Sequence, residues 1–475
     1  MSSNRPAQTI TNGSAPAAAE PDLAGSAAPD LLVDAALPTT TKRRVVIVGG
    51  GAGGIELATS LGESLGRKGL AEIVLVDREP AHIWKPLLHE VAAGTMDVNA
   101  NEIAYLALAS WHGFVFQQGP MLGLDRRSKE ITIGEVCNPD GDVLFPKRRL
   151  AYDVLVLSLG GVSNDFGVPG VKEHAYTLDN VEQAEALNRR IVSAVVRANY
   201  SAGDESAQPI RVIIIGGGAT GVELAAQLRT AGRVLAAYGF DKLQPEKLLE
   251  ITLIEAGPRI LPHMPERIAQ AVHEALEKLQ IKVLTRVQVM SIDGTQVLGK
   301  DNRRFPADVC VWAAGVKGAD WLRDLDQLET NKNNQIVVDS QLRTTRDPAV
   351  FALGDCAQVQ SEPGQRPVAP LAQAAHQEAH YLAWALPRIL AGKEVRPFRY
   401  RHFGSLIAIG QDTTTGTLMG FLTGQNFRVQ GLLARFMYLF LYRQHLAVLF
   451  GWPRTILDLL ARWIGASTRP KIKLH

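Results

Sequence analysis

The sequence predicts an α/β fold with two Rossmann-like dinucleotide-binding domains, the second inserted in the first. A glycine motif, G-x-G-x-x-G, occurs twice, each time between a β-branched run and a helix-forming stretch. Each motif is followed by a second apolar run that ends in an acid. Two later segments, AYDVLVLSLGG and DVCVWAAGV, share one design, in which an Asp precedes an apolar run and small residues follow it. We therefore expect each of these segments to close one unit and to pass close to a bound dinucleotide.

The glycines of each motif have separate physical roles. The first makes the tight turn after the strand, the second lets the backbone approach a pyrophosphate, and the third lets helix and strand pack closely. The phosphates then lie at the positive end of the helix. The motif glycines are Gly49, Gly51 and Gly54 in the first copy, and Gly216, Gly218 and Gly221 in the second.

The acid that ends the second strand of each unit indicates which nucleotide is bound. These acids are Asp77 in EIVLVDREP and Glu255 in ITLIEAGPR. A carboxylate at this place accepts hydrogen bonds from the ribose hydroxyls of adenosine and repels a 2′-phosphate. Both sites should therefore prefer the non-phosphorylated nucleotide.

A third feature is the strand VFALGD, which ends at Gly354 and Asp355. Ligands bind at the carboxyl ends of strands in such sheets, so Asp355 is a candidate ligand contact. The alternative is that Asp355 caps the helix predicted downstream. In the second closing segment, Ala314 and Gly315 are the small residues expected to lie beside a nucleotide.

These signals divide the chain into five parts. The first is rich in Ala, Pro, Ser and Thr and has no signal-peptide pattern, so we expect it to be disordered. The expected parts are a disordered extension at 1–42, the first part of the first nucleotide domain at 43–170, the second nucleotide domain at 171–334, the remainder of the first domain at 335–400, and a C-terminal region at 401–475.

Composition excludes several classes of function. The formal net charge of +2 gives no global argument for nucleic-acid binding. The three cysteines, Cys137, Cys310 and Cys356, form no CxxC pair and no metal-binding spacing. We therefore expect no metal site, no disulfide framework and a reducing compartment.

The C-terminal region is basic and apolar. From Arg428 to His475 there are eight Lys or Arg residues and one acid, Asp458. No apolar stretch approaches the roughly 20 residues that span a bilayer. Apolar residues such as Ile456, Leu457 and Leu460 recur at helical spacing, which is typical of helices that lie on an anionic membrane surface. The alternatives are a helix packed on the protein's own core, or a dimer contact.

Several longer phrases resemble one family. The twin motifs, the Gly-Asp strand and PLAQAAHQEAHYLA resemble the two-dinucleotide flavoprotein reductases. HIWKPLLHEVAAGTMD (82–97), FGSLIAIGQ (403–411) and the tail ARFMYLFLYRQHLAVLFG resemble the bacterial type II NADH:quinone oxidoreductases. The resemblance covers about residues 43 to 475.

The resemblance implies cofactors and a reaction. The first motif would hold FAD and the second NADH, and a membrane quinone would be reduced to quinol without proton pumping. Further implied contacts are Asp355 with the ribityl–pyrophosphate part of FAD, Lys85 and Pro86 near the flavin ring, Glu223 near the nicotinamide, and Ala372, Gln373, His376 and Gln377 in the quinone-site segment. The expected location is peripheral, on the cytoplasmic face of the inner membrane, with a homodimer possible.

Alternatives remain open from the residues alone. Glu223 could be a first-turn acid that the helix dipole favours. His376 could be a helix residue whose ring is satisfied by other side chains. The competing functions are a sulfide:quinone oxidoreductase, an NADH-dependent reductase of a small redox protein, and a non-enzymatic NADH-sensing flavoprotein.

Overall fold

The computed structural model describes most of the chain. The described residues are 33–34, 42–201, 208–237, 248–360, 366–409, 414–419, 426–430 and 442–465. They lie within one compact unit, Leu32–His475. Of the expected disordered extension, 1–42, only residues 33–34 and 42 are described. Residues 431–441 and 466–475 of the expected membrane-surface region also lie outside the described residues.

The first sheet carries the first glycine motif. Its strands are parallel except for one short antiparallel edge strand. The strand before the motif lies inside the sheet, and Val45, Val46 and Ile47 are fully buried, as expected for a parallel strand covered on both faces. The strand order is Arg343–Thr344, Asp347–Ala352, Val154–Leu157, Arg43–Val48, Ala71–Asp77 and Val115–Gln118.

The second sheet carries the second glycine motif and is parallel throughout. All its strands fall in the sequence between Val154–Leu157 and Asp347–Ala352, which are neighbours in the first sheet. This topology confirms the insertion of the second unit in the first, whereas the exact boundaries near 170 and 334 stay predictions. The strand order is Lys282–Leu284, Leu249–Ile254, Ile210–Ile215 and Val309–Trp312.

Helices cover these sheets, and smaller sheets flank them. We number the helices α1 Ala52–Leu61, α2 Leu88–Ala92, α3 Tyr105–His112, α4 Val171–His174, α5 Val181–Ser201, α6 Ala219–Ala237, α7 Glu266–Lys278, α8 Ala372–Leu390, α9 442–450 and α10 Trp452–Gly465. The smaller antiparallel sheets include Met121–Asp125 with Glu130–Ile133 and Arg148–Ala151, Val289–Ile292 with Gln296–Gly299 and Arg304–Pro306, and Gly404–Ala408 with Thr414–Met419 and Asn426–Gln430.

The C-terminal region divides into two different helices. In α9, Leu446 and Leu449 are buried, and Leu449 belongs to the core of the first sheet. In α10, by contrast, Ile456, Leu457 and Leu460 are half exposed or more. The core-packed alternative therefore holds for α9 and not for the apolar face of α10. Among the described residues, no helix is both long and apolar enough to cross a membrane.

Candidate functional site

The first glycine loop can be built only with glycine at two of its positions. Gly49 has a φ of +100°, and a Cβ there would overlap the carbonyl of Ser158. A Cβ on Gly54 would overlap the carbonyl oxygen of Gly49. A Cβ on Gly51, however, would meet nothing within 4 Å. The loop is therefore closed where strand meets helix and open where a phosphate could approach.

The second glycine loop repeats this arrangement. Gly216 has a φ of +114°, and its Cβ would lie 2.6 Å from the carbonyl oxygen of Ala313. A Cβ on Gly221 would overlap the carbonyl of Gly216, and one on Gly218 would meet nothing within 4 Å. Both loops thus present an open cradle at the second glycine of the motif.

The two strand-end acids hold these loops from the side. The Gly50 N–H donates to Asp77 at 2.5 Å, and the Gly217 N–H donates to Glu255 at 2.7 Å. Burial raises the pKa of Asp77, and the hydrogen bond from Gly50 opposes that rise. Each acid therefore lies where an adenosine ribose would follow the pyrophosphate along the strand end.

The closing segments of the two units meet beside Asp355. Val162–Ser163 pairs antiparallel with Val316–Lys317. A Cβ on Gly161 would lie 2.5 Å from the Val316 side chain and 3.0 Å from the Asp355 Cβ. Gly315, in the turn before this pairing, has a φ of +69°, and Ala314 precedes it. The small residues of both units thus surround one place at the sheet ends.

Asp355 lies in a short 3₁₀ turn, Gly354–Cys356. The N-cap of α8 is Leu371, so Asp355 does not cap that helix. Burial raises the pKa of Asp355, and the nearby charge of Lys85 opposes the rise. The Lys85 side chain also approaches Gly160, since a Cβ there would lie 3.6 Å from Nζ. Lys85 and Pro86 are exposed at this place.

Glu378 fixes the Gly-Asp turn and was missed by the sequence reasoning. Its buried carboxylate accepts the Gly354 N–H at 2.6 Å. Burial raises the pKa of Glu378 to about 7. An acid within the helical phrase PLAQAAHQEAHYLA was the available signal, but the phrase alone does not say which face of α8 meets the turn.

Two glutamines of α8, which begins at Ala372, bind a neighbouring backbone segment. Gln373 accepts the Phe403 N–H at 3.1 Å and donates to the Gly404 carbonyl at 2.9 Å. Gln377 accepts the Arg401 N–H at 3.0 Å and donates to the carbonyl of the same residue at 2.8 Å. Both amides therefore hold the strand that begins at Gly404 against α8.

His376 lies between these glutamines and bonds to a buried acid. Its Nδ1 is 2.6 Å from Glu56, a residue of α1 that is 1% exposed. The second oxygen of Glu56 is 2.6 Å from Nδ1 of His445, in α9. Burial by itself would raise the pKa of Glu56, but the hydrogen bonds from His376 and His445 lower it to about 2. His376 is therefore satisfied at Nδ1 by Glu56, and its predicted contact with a quinone stays a prediction.

Glu223 is buried and is the fifth residue of α6, so it is not a first-turn acid. It accepts the Ala408 N–H at 3.0 Å, and its other oxygen lies 3.9 Å from Nδ1 of His89. Burial raises the pKa of Glu223 to about 8, despite the bond from Ala408 and with a further contribution from the charge of Glu90. The carboxyl group is therefore largely protonated near neutral pH.

This raised pKa predicts a pH-dependent stability. The folded chain keeps a proton on Glu223 that the unfolded chain releases, so stability falls as pH rises from about 4.5 to about 8. Glu223→Gln should match the native chain at about pH 5 and exceed it by a few kcal/mol at about pH 9. Urea denaturation at both pH values measures this. Glu274→Gln, at an exposed position, is the control, and an equal pH slope in all three proteins would contradict the prediction.

Comparison with known proteins identifies the family of this chain. The family model for pyridine nucleotide-disulphide oxidoreductases matches residues 43–379. A type II NADH:quinone oxidoreductase of Haemophilus influenzae is 38% identical over 436 residues, which cover 89% of this chain and 98% of that protein. The chain belongs to the type II NADH:quinone oxidoreductases, within the pyridine nucleotide-disulphide oxidoreductase family.

More distant relatives agree. A type II NADH:quinone oxidoreductase of Staphylococcus aureus is 28% identical over 374 residues, covering 77% of this chain and 87% of that protein. The structure of NDH2 from Plasmodium falciparum in complex with NADH matches with a TM-score of 0.75 and 19% identity, covering 91% of this chain and all of that one. At that identity the structural match shows the fold alone.

A type II NADH:quinone oxidoreductase uses a flavin and a nicotinamide nucleotide, and the residues present fit both. The cradles at Gly51 and Gly218 leave space that a Cβ would fill, and an acid lies beside each. Lys85 and Asp355 lie beside the closing turn of the first unit, at Gly160 and Gly161. The two loops are thus suited to two dinucleotides.

The thiols of this type II NADH:quinone oxidoreductase are not arranged for redox chemistry. None of the three cysteines forms a disulfide. Burial raises the pKa of Cys310 and of Cys356 to about 12, so both are protonated thiols at neutral pH. Cys137 is exposed. This arrangement disfavours a sulfide:quinone oxidoreductase, which needs a reactive cysteine pair.

Proposed function

We propose that this protein oxidises NADH and reduces a membrane quinone to quinol, with FAD as its resident flavin. The observation that carries the proposal is the convergence of two open glycine cradles and their closing segments on one place beside Asp355. Membership of the type II NADH:quinone oxidoreductases supports the same reaction.

The chain's own residues bind and orient the two nucleotides. The loop from Gly49 to Gly54 and the Asp77 carboxylate bind FAD, and Asp355 holds its ribityl–pyrophosphate part. The second loop and Glu255 bind NADH, and Glu255 disfavours NADPH by repelling a 2′-phosphate. The chemistry that FAD supplies when bound is acceptance of a hydride and donation of two electrons.

The quinone head group binds beside α8, next to His376. His376 is the polar side chain there whose second ring nitrogen, Nε2, makes no hydrogen bond among the described residues. The amides of Gln373 and Gln377 each donate one hydrogen bond to the backbone of 401–404 and accept one from it, which holds that segment in place. Each amide has a second N–H that can donate to the quinone.

The helices α10 and α3 form the surface that contacts the membrane. The exposed apolar residues of α10 are joined by Leu106 and Trp111 of α3, which are 69% and 42% exposed. The Arg454 guanidinium lies 5.4 Å from the centre of the Trp111 ring, which places the two helices side by side. Apolar and aromatic side chains with basic neighbours favour an anionic bilayer interface. Because NADH is formed inside the cell, this surface would be on the cytoplasmic face of the inner membrane.

Anaerobic stopped-flow absorbance on the purified holoenzyme tests the reaction. We expect NADH to bleach the flavin's visible absorption band and a short-chain quinone to restore it, each in a fast single turnover. Bleaching without recovery would indicate a protein acceptor or a sensor. No bleaching by NADH would refute the proposed function.

A further inference from the structure

A buried chain of side chains links the first glycine loop to His376. It begins at the Gly50 carbonyl, which lies 2.9 Å from Nδ1 of His82. Nε2 of His82 lies 3.1 Å from Nε2 of His445, and His445 continues through Glu56 to His376 with two contacts of 2.6 Å. His82, His445 and Glu56 are at most 2% exposed, whereas the His376 side chain is 26% exposed.

The positions of the protons along this row of hydrogen-bonded side chains can be assigned from the hydrogen bonds. The Gly50 carbonyl only accepts, so His82 carries its proton on Nδ1. Burial lowers the pKa of His82 to about 3, so its ring is neutral and Nε2 is an acceptor. His445 must then donate to His82 through Nε2–H and to the Glu56 carboxylate through Nδ1–H. His445 therefore donates from both ring nitrogens, one of them to the buried Glu56 carboxylate.

The same assignment defines the state of His376. The Glu56 carboxylate accepts the Nδ1–H of His376, which leaves Nε2 as the atom that can gain and lose a proton. A carboxylate on the other ring nitrogen orients the imidazole and stabilises its charged form. The hydrogen bonds from His376 and His445 together lower the pKa of Glu56 and keep it ionised at a site where burial alone would favour the neutral acid.

We propose that Glu56, hydrogen-bonded to both His445 and His376, is the positioning residue that makes His376 a proton donor to the quinone. This role rests on the proposed function. Reduction of the quinone to quinol takes two electrons and two protons. The hydride of NADH supplies both electrons and one proton, and His376 supplies the other proton. One O–H bond of the quinol forms as the Nε2–H bond of His376 breaks and leaves its electron pair on nitrogen. Water reprotonates His376 because the side chain is partly exposed.

Other titratable groups lie beside the hydrogen-bonded row from His82 to His376, but they add no charge to it. The ring of His380, one turn along α8, lies 4.4 Å from that of His376, and burial lowers its pKa. Tyr105 donates to the same Gly50 carbonyl at 2.8 Å, and burial raises its pKa well above the ordinary value. Among the described residues, no lysine or arginine forms an ion pair with Glu56. The pH response of His376 should therefore depend chiefly on Glu56.

The test is the pH dependence of the quinone half-reaction in the purified holoenzyme. Glu56→Gln removes the charge and should slow quinone reduction about 10- to 100-fold. It should also shift the alkaline limb of the pH profile of this half-reaction, because the carboxylate charge beside His376 is lost. Flavin reduction by NADH should be unchanged. Glu274→Gln is the control, since Glu274 is an exposed glutamate of α7 in the second nucleotide unit.

A second variant keeps the test decisive if Glu56→Gln folds poorly. His376→Asn, at a partly exposed position, keeps a donor for Glu56 but should remove the alkaline limb. Because Glu56 acts through His376, the double variant should be no slower than His376→Asn alone. Additive losses, or an unchanged pH profile in Glu56→Gln, would overturn the role. Absence of quinone reduction by the native enzyme would instead refute the proposed function itself.

Discussion

Replacing Gly54 by alanine is expected to abolish flavin binding and with it all NADH:quinone activity. A Cβ on residue 54 would overlap the carbonyl oxygen of Gly49, a backbone atom that cannot rotate away. The helix α1 would have to separate from its strand, which destroys the cradle at Gly51. The measurement is the ratio of visible flavin absorbance to protein absorbance after purification, which should fall close to zero.

Two matched variants separate loop geometry from a general loss of stability. Gly51→Ala meets nothing within 4 Å, so it should fold normally and weaken flavin binding about tenfold or more, by filling the phosphate cradle. Gly123→Ala also meets nothing within 4 Å, but it lies outside both loops and should retain full flavin. A Gly54→Ala protein that purifies with its full flavin content would contradict the role of this glycine.

The twice-repeated glycine motif shows how much of the site could be predicted from the sequence. The strand–glycine–helix pattern predicted both sheets and both loops, because local steric contacts require the first and third glycines of each motif. The helices opened by the two loops carry a glutamate at the same place, in GGIELA and TGVELA. The sequence reasoning considered Glu223 and missed its counterpart, Glu56. A carboxylate inside an apolar helical run was the signal that both positions offered.

The partners of these two glutamates could not be predicted from spacing. Glu56 bonds to His376, 320 residues away, and to His445, 389 residues away. Glu223 bonds instead to the Ala408 N–H. Local pattern fixes which face of a helix is buried, but it does not fix which distant side chain fills the space beyond that face. Spacing also did not predict that the backbone at 403–404 bonds to the amide of Gln373, whose contact with a quinone stays a prediction.

The C-terminal region, predicted as a single membrane-surface part, should respond differently to two truncations. Stopping the chain after Gly451 removes α10 and five basic residues, but it leaves α9 in place. We expect this protein to keep its flavin and its turnover with a water-soluble quinone. It should no longer float with vesicles made of equal parts phosphatidylcholine and phosphatidylglycerol, because the exposed apolar face and the basic charges are gone.

Stopping the chain after residue 441 should have a much larger effect. This cut also removes the buried leucines Leu446 and Leu449, each of which contributes about 1.5–3 kcal/mol by burial. It also removes the acceptor of the 2.7 Å hydrogen bond from His112 to the Leu449 carbonyl. Loss of His445 leaves one oxygen of the buried Glu56 carboxylate without its partner. We therefore expect a markedly lower thermal midpoint and slow quinone reduction even with a soluble quinone.

The difference between the two truncations distinguishes anchoring from catalysis. If α10 only anchors the protein, Leu457→Glu in the full-length chain should reproduce the loss of vesicle binding at unchanged soluble-quinone turnover, since Leu457 is 65% exposed. Continued flotation of the chain that ends at Gly451 would assign the membrane contact to the remaining chain instead. The helix α9 supplies His445 and directly precedes α10. The helix proposed to bind the membrane, α10, is therefore continuous in sequence with the helix that supports the proposed proton donor, His376. Vesicle binding that changed the pH profile of the full-length enzyme, but not that of the chain ending at Gly451, would show that the two are coupled.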